Sequence, residues 1–188
     1  ARRVADQLGI AHYAFDRRDA FTRQIVEPFV DAYLSGRTPS PCTQCNLFIK
    51  LPVLDRLAIQ MGAKSVATGH YAQVLVDGRG NYRIARGADR HKDQSYFLYA
   101  LPQAALSRLM LPLGTMTKTE VRQLALKRGL VGAAKGESQD LCFVPDGTCG
   151  DFVEEKANSR IRPGRIVDEH GVALGCHGGV HRFTVGQR

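Results

Sequence analysis

No apolar run in the sequence approaches the roughly 20 residues that a membrane-spanning helix needs, and no signal-peptide pattern opens the chain. No membrane partner is therefore expected. Internal repeats and low-complexity tracts are also absent, which excludes a repeat array or a disordered linker as the main feature. Cysteine is sparse: five residues, an odd number without framework spacing, suit a reducing cytosol better than a disulfide-stapled secreted scaffold. After the single Cys-x-x-Cys at 42–45 no second such pair and no His-x-His follows, so a complete zinc site is not spelled out. Acidic residues are too few to balance the basic ones, 18 against 26, and the net charge of +8 points to a polyanionic partner, nucleic acid being the usual one.

What remains is an ordinary globular composition, 44% hydrophobic and 23% charged. A chain of 188 residues can bury a real core and should form one domain and part of another. It starts inside a helical pattern (Val4, Leu8, then Gly9 as the stop) and ends straight after a strand-like run, as a piece of a longer protein would.

The stretch 36–46, Gly-Arg-Thr-Pro-Ser-Pro-Cys-Thr-Gln-Cys-Asn, organises the rest. Two prolines stiffen the approach to Cys42 and Cys45. From Asn46 an apolar pattern (Phe48, Leu51, Leu54, Leu57, Ala58, Met61) has helical spacing. Cys45 is thus expected at or just before a helix N-terminus, where unpaired N–H groups and the dipole favour a thiolate. Half a zinc site, a redox dithiol, two idle buried thiols and catalytic sulfur chemistry all fit the pair itself.

In chain order, residues 11–15 read as a short strand and 21–34 as an amphipathic helix with the stripe Phe21, Ile25, Phe29, Val30, Tyr33, kinked or split at Pro28. Residues 65–68 form a strand running into Gly69-His70-Tyr71. This alternation predicts a parallel α/β sheet, in which ligands bind at the carboxyl ends of strands. Residues 73–76 and 82–85 read as a hairpin around Asp77-Gly78. Segment 91–97 interleaves basic, amide and aromatic side chains, as phosphate contacts and base stacking require, and equally as a solvated loop does. Residues 102–110 read as a short helix. Thr117 and Glu120 form a capping box for a helix that stops at Gly129. A second cysteine motif, 135–143, places Cys142 on a loop entering a strand. From Pro163 the pattern is of short strands at 165–168, 172–174 and 182–185, the start of a small β-rich domain, with the boundary between Pro145 and Pro163.

Together the stretches 36–46, Ala-Thr-Gly-His-Tyr (67–71), Lys-Asp-Gln-Ser-Tyr-Phe-Leu-Tyr (92–99), Ser-Gln-Asp-Leu-Cys-Phe-Val (138–144) and Thr-Val-Gly-Gln-Arg (184–188) resemble one family in order and spacing. It is the tRNA-specific 2-thiouridylases, of the PP-loop ATP-pyrophosphatase group. The resemblance implies a Rossmann-like parallel sheet of the adenine nucleotide alpha hydrolase type, incomplete here, over 1–144, and the start of the central β-rich domain over 145–188. It implies ATP, with Mg²⁺, as cosubstrate, tRNA as substrate and a persulfide-carrying protein as sulfur donor, all in the cytoplasm. The wobble uridine's C2 oxygen would be adenylated and then replaced by sulfur. By motif match Cys142 resembles the persulfide-bearing cysteine and Cys45 its nucleophilic partner, with a Cys45–Cys142 disulfide left for reduction. Gly69 matches an ATP-site position and His70 a tRNA contact. Ser40, Pro41 and Cys42 match the loop near the target base, and Lys92, Asp93 and Gln94 a tRNA-contacting segment. Cys149 and Cys176 match no functional position and read as structural.

Three departures stand out. The family's phosphate-binding Ser-Gly-Gly-x-Asp-Ser-Ser loop lies upstream of residue 1, so residues 1–188 alone are expected not to complete adenylation. Ser40 stands where many members carry Asn, and Cys42 where some carry Asp. Cys42 also allows an alternative, an iron–sulfur cluster held by Cys42, Cys45 and Cys142. A non-catalytic basic RNA-binding module is a further one.

Overall fold

The structure, a computed structural model, describes residues 1–133, 141–144 and 147–187. Residues 135–140 of the second cysteine motif, Pro145 at the expected domain boundary and Arg188 of the closing motif lie outside the described residues. Helix α1 (Arg2–Leu8) stops as expected at Gly9. Residues 11–15 form no strand, because no other strand among the described residues takes up their backbone groups. The chain is then helical from Arg18 to Leu34 as α2 (Arg18–Phe21), a π-helical stretch (Thr22–Val26) and α3 (Glu27–Leu34). It is helical again from Pro41 to Gln60 as α4 (Pro41–Gln44), a second π-helical stretch (Cys45–Lys50) and α5 (Leu51–Gln60).

Both π-helical stretches have one cause. Pro28 and Pro52 lack the N–H that would close an ordinary turn, and each ring crowds the carbonyl four residues back. The residue before each proline bonds five back instead: Glu27 N–H donates to Thr22 O and Leu51 N–H to Asn46 O. The kink expected at Pro28 is thus a widened turn within a continuous helix. The expected start of the cysteine helix shifts as well. Pro41 does not stiffen a loop; it begins the helix, where its fixed φ fits and its missing N–H costs nothing. Cys42 is therefore in the first turn, and Cys45 lies one turn inside rather than at the N-terminus.

Strand β1 (Val66–Ala67), the hairpin β2 (Ala72–Val76) and β3 (Tyr82–Arg86), helix α6 (Gln103–Leu106) and β4 (Leu109–Met110) follow. β1 and β4 pair in parallel, Val66 opposite Leu109, while β2 and β3 are antiparallel with Val74 opposite Ile84. The segment 102–110, expected as one helix, thus ends as a strand. Helix α7 (Lys118–Lys127) has the expected capping box: Glu120 N–H donates to Thr117 Oγ1 and Thr117 N–H to Glu120 Oε2. Thr148 and Asp151 form a second box that starts α8 (Cys149–Ala157), a helix the sequence reading missed. β5 (Gly164–Val167) and β6 (Ala173–His177) pair antiparallel. Residues 182–185 are not a strand; the short 3₁₀ turn Val180–Arg182 turns His181 inward, 1% exposed, and irregular chain follows.

The fold is α/β, with a parallel Rossmann-like pair and added antiparallel hairpins. Among the described residues it divides into two units, 1–17 with 43–133, and 18–42 with 141–144 and 147–187. The first unit is built on Leu51, Ala72, Leu98, Leu101, Leu106 and Leu109. The second packs the stripe Phe29, Val30 and Tyr33 of α3 against Val153 and Ala157 of α8.

Candidate functional site

In the first unit the site begins where the parallel strands end. Thr68 N–H donates to Met110 O at 3.1 Å, so both strands deliver their carboxyl ends to the Thr68–His70 loop. Gly69 is exposed, and a Cβ there would come no closer than 3.7 Å to a neighbouring atom, Leu113 Cδ1. An adenine nucleotide could approach the backbone at this point. His70 is held on both ring nitrogens: Thr68 Oγ1 is 2.8 Å from Nδ1 and Asn46 Nδ2 is 3.3 Å from Nε2. Asn46 Nδ2 also donates to the Phe97 carbonyl at 3.3 Å, and a carbonyl can only accept, which fixes the amide with its NH₂ toward the ring. Burial, and secondarily the Lys50 ammonium, keeps the His70 pKa below its ordinary value. The ring is thus neutral at physiological pH.

Segment Lys92–Gln94 folds back on this loop. Gln94 is joined to Tyr71 by two bonds, Tyr71 N–H to Gln94 Oε1 at 3.1 Å and Gln94 N–H to Tyr71 O at 2.9 Å. Asp93 accepts from Gly87 N–H at 2.9 Å and Ser95 Oγ at 2.8 Å. Desolvation opposes its ionisation, but these bonds prevail and its pKa lies below the usual carboxylate range. Two glycines permit the close packing. A Cβ on Gly87 would sit 2.7 Å from Tyr71 O, and one on Gly114 2.0 Å from Ala72 O. Asp93 and Gln94, expected from sequence as tRNA contacts, here brace the loop. Lys92 is half-buried beside them.

Cys45 is buried on the π-helical stretch, and its neighbours dock that helix on the same region. Thr43 Oγ1 donates to Tyr96 O at 3.4 Å and Asn46 to Phe97 O, both in the 3₁₀ turn Ser95–Phe97 that follows Gln94. The structure thus gathers Cys45, Gly69, His70, Lys92, Asp93 and Gln94 in one unit. Asn46 and Thr68 join them and were missed; the signal for Asn46 was an amide directly before an apolar helical run.

The second unit holds Ser40, exposed, Pro41, buried, and Cys42, half-buried. It also holds Cys142. No strand follows Cys142 among the described residues; it lies in a turn closed by Val144 N–H donating to Leu141 O at 3.0 Å. Leu141 and Phe143 pack against the aromatic core, Phe143 edge-on to Phe29 at 5.1 Å and to Phe152 at 5.4 Å, and Val144 is buried. The Cys142 thiol is left exposed between its anchors. Cys149 is half-buried beside Tyr33, whose pKa is pushed up to about 12 by burial and then by that thiol, and Cys176 is exposed on β6. All five cysteines are thiols. Among the described residues no three His, Cys, Asp or Glu side chains group so as to hold a metal ion, and no helix is long and apolar enough to cross a membrane.

Comparison with known proteins agrees with this architecture. Residues 1–146 match the family described as "tRNA methyl transferase HUP domain". A protein of Sorangium cellulosum named "tRNA-specific 2-thiouridylase MnmA" is 59% identical over 188 residues, covering 100% of this chain and 49% of the relative. Proteins of the same name from Geobacter metallireducens and Carboxydothermus hydrogenoformans are 50% and 49% identical, again over 100% of this chain, and 51% and 52% of their own lengths are covered. The chain spans about half the length of the curated relatives it matches. With a Rossmann-like parallel pair, a glycine loop at its carboxyl end and a family match across that whole region, the chain belongs to the tRNA methyl transferase HUP-domain family.

Proposed function

We propose that the chain is the thiol-bearing part of an enzyme that 2-thiolates the wobble uridine of tRNA, with ATP, as its Mg²⁺ complex, as cosubstrate. The observation that carries this reading is the pinned, exposed Cys142 turn, a thiol open to a protein donor yet held on a rigid base. The name of the relatives favours sulfur transfer over methyl transfer. Residues 1–144 belong in this reading to the nucleotide-binding domain and 145–188 to the start of a β-rich domain. The cytoplasm is its place of action.

Gly69 lets the adenine nucleotide approach the backbone. His70, Lys92, Asp93 and Gln94 contact the tRNA, and Ser40, Pro41 and Cys42 face the target base. The uridine C2 oxygen attacks the α-phosphorus of ATP and pyrophosphate leaves, which converts a poor leaving group into AMP. Cys142 receives a sulfane sulfur from a protein persulfide, and its outer sulfur attacks C2 as the C–O bond to AMP breaks. The Cys45 thiolate then attacks the Cys142 sulfur. The bond to the transferred sulfur breaks, thiouridine is released and a Cys45–Cys142 disulfide remains for an external dithiol to reduce. No Mg²⁺ ligand set is assigned to the described residues.

Thiouridine formation by the full-length polypeptide, with ATP, tRNA and a persulfide donor, tests this. Cys45→Ser and Cys142→Ser should each fall below detection, because a hydroxyl neither carries sulfane sulfur nor attacks at neutral pH. Cys42→Ala should retain turnover under rigorously iron-free conditions. Strict iron dependence would replace this scheme with a cluster mechanism.

A further inference from the structure

The hydrogen bonds around His70 have a direction, and it starts at a backbone carbonyl. Phe97 O accepts from Asn46 Nδ2, so the same NH₂ faces His70 Nε2 and can only donate to it. With Nε2 as acceptor, the neutral ring must carry its proton on Nδ1, 2.8 Å from Thr68 Oγ1. Thr68 Oγ1 is thereby the acceptor of that bond, and its own O–H remains to be given elsewhere. No other bond of that hydroxyl occurs among the described residues, and Thr68 is half-buried directly before the exposed Gly69. Asn46 is 1% exposed and its Oδ1 has no partner, so the amide sits in its place at a cost that only its two donor bonds offset.

We propose that Thr68 is a nucleotide-binding residue whose hydroxyl donates a hydrogen bond to an acceptor atom of the adenine nucleotide, and that Asn46 is the positioning residue that sets this polarity through His70. The assignment to the free nucleotide rather than to tRNA follows from place. Thr68 directly follows β1, where the parallel strands deliver their carboxyl ends, beside the glycine that admits a ligand. The inference rests on the proposed function for the identity of the ligand, but the polarity of the chain of bonds does not.

Two measurements on the full-length polypeptide test it. Long-range ¹H–¹⁵N spectra of the imidazole groups at neutral pH should show His70 protonated on Nδ1 and bare on Nε2; the reverse tautomer would overturn the proposal. Binding of a non-hydrolysable ATP analogue should weaken about three- to tenfold in Thr68→Val, the range for one lost hydrogen bond, while Thr68→Ser keeps most of the affinity. Affinity for tRNA should not change in either. A loss in Thr68→Ser with none in Thr68→Val would mean that the methyl group matters and not the donor. A loss confined to tRNA would move the contact to the other ligand; either result overturns the assignment. Unchanged analogue binding in Thr68→Val refutes this inference alone, whereas a wild-type protein that binds no analogue refutes the proposed function with it. Asn46→Asp, if folded, should invert the His70 tautomer and lose affinity with no further loss on adding Thr68→Val.

Discussion

Cys45 and Cys142 are presented in opposite ways. Cys45 is 6% exposed, one turn inside a helix whose flanking residues Thr43 and Asn46 are bonded to the carbonyls of Tyr96 and Phe97. Cys142 is exposed on a four-residue turn, and only its neighbours Leu141, Phe143 and Val144 are fixed. One thiol is protected by what surrounds it; the other is accessible but not loose. The proposed sulfur transfer would need this division, since in it the loaded thiol must be reached by a donor protein and the resolving thiol should not be consumed by side reactions.

The contrast is broken most directly by alkylation. In the native chain Cys142 should react with iodoacetamide at least about tenfold faster than Cys45, because a buried thiol reacts only through local opening. Peptide mapping by mass spectrometry gives the two rates, and equal rates would erase the distinction.

A smaller effect probes the anchor. Phe143→Ala removes edge contacts to Phe21, Phe29 and Phe152, and should cost about 2–3 kcal/mol of stability in urea unfolding, below the full core value because the ring is half-buried. Loading of Cys142 by a persulfide donor should slow with it. A stable variant with normal loading would show that the turn holds itself.

These residues also show where sequence carries structure. The capping box at Thr117 and the hairpin around Asp77 were readable because they are local: Asp77 Oδ1 accepts from Arg79 and Asn81 N–H within its own turn. β4 was hidden because its two residues become a strand only by pairing with β1, far back in the chain. Residues 11–15 have strand-like composition but no pairing partner among the described residues. The prolines were seen, but not that Pro41 would open a helix and Pro52 widen one. At the site, the cysteine motifs and the Gly69 loop stood out. Asn46 did not, because an isolated amide reveals its role only when folding sets Phe97 and His70 on either side of it. α8 could have been read, since Thr148 and Asp151 carry the same box spacing as Thr117 and Glu120.

The smallest effect concerns the buried side of the comparison. His70, next to the Cys45 helix, resists protonation because of burial and then Lys50. The unfolded chain takes up that proton near pH 6.5 while the folded chain does not. The contribution of this group is therefore full above about pH 6.5, declines as pH falls through that value, and levels off below the depressed folded pKa. Urea midpoints between pH 7.5 and 5 should show a slope that is reduced in His70→Asn; identical slopes would place His70 in water.

The central claim is that Cys45 and Cys142 act on one sulfur. The most direct measurement is peptide mapping of the full-length polypeptide after a single round of thiolation without reductant. A Cys45–Cys142 disulfide formed in step with thiouridine is the predicted result. A Cys42–Cys45 bridge with Cys142 always a thiol would contradict it.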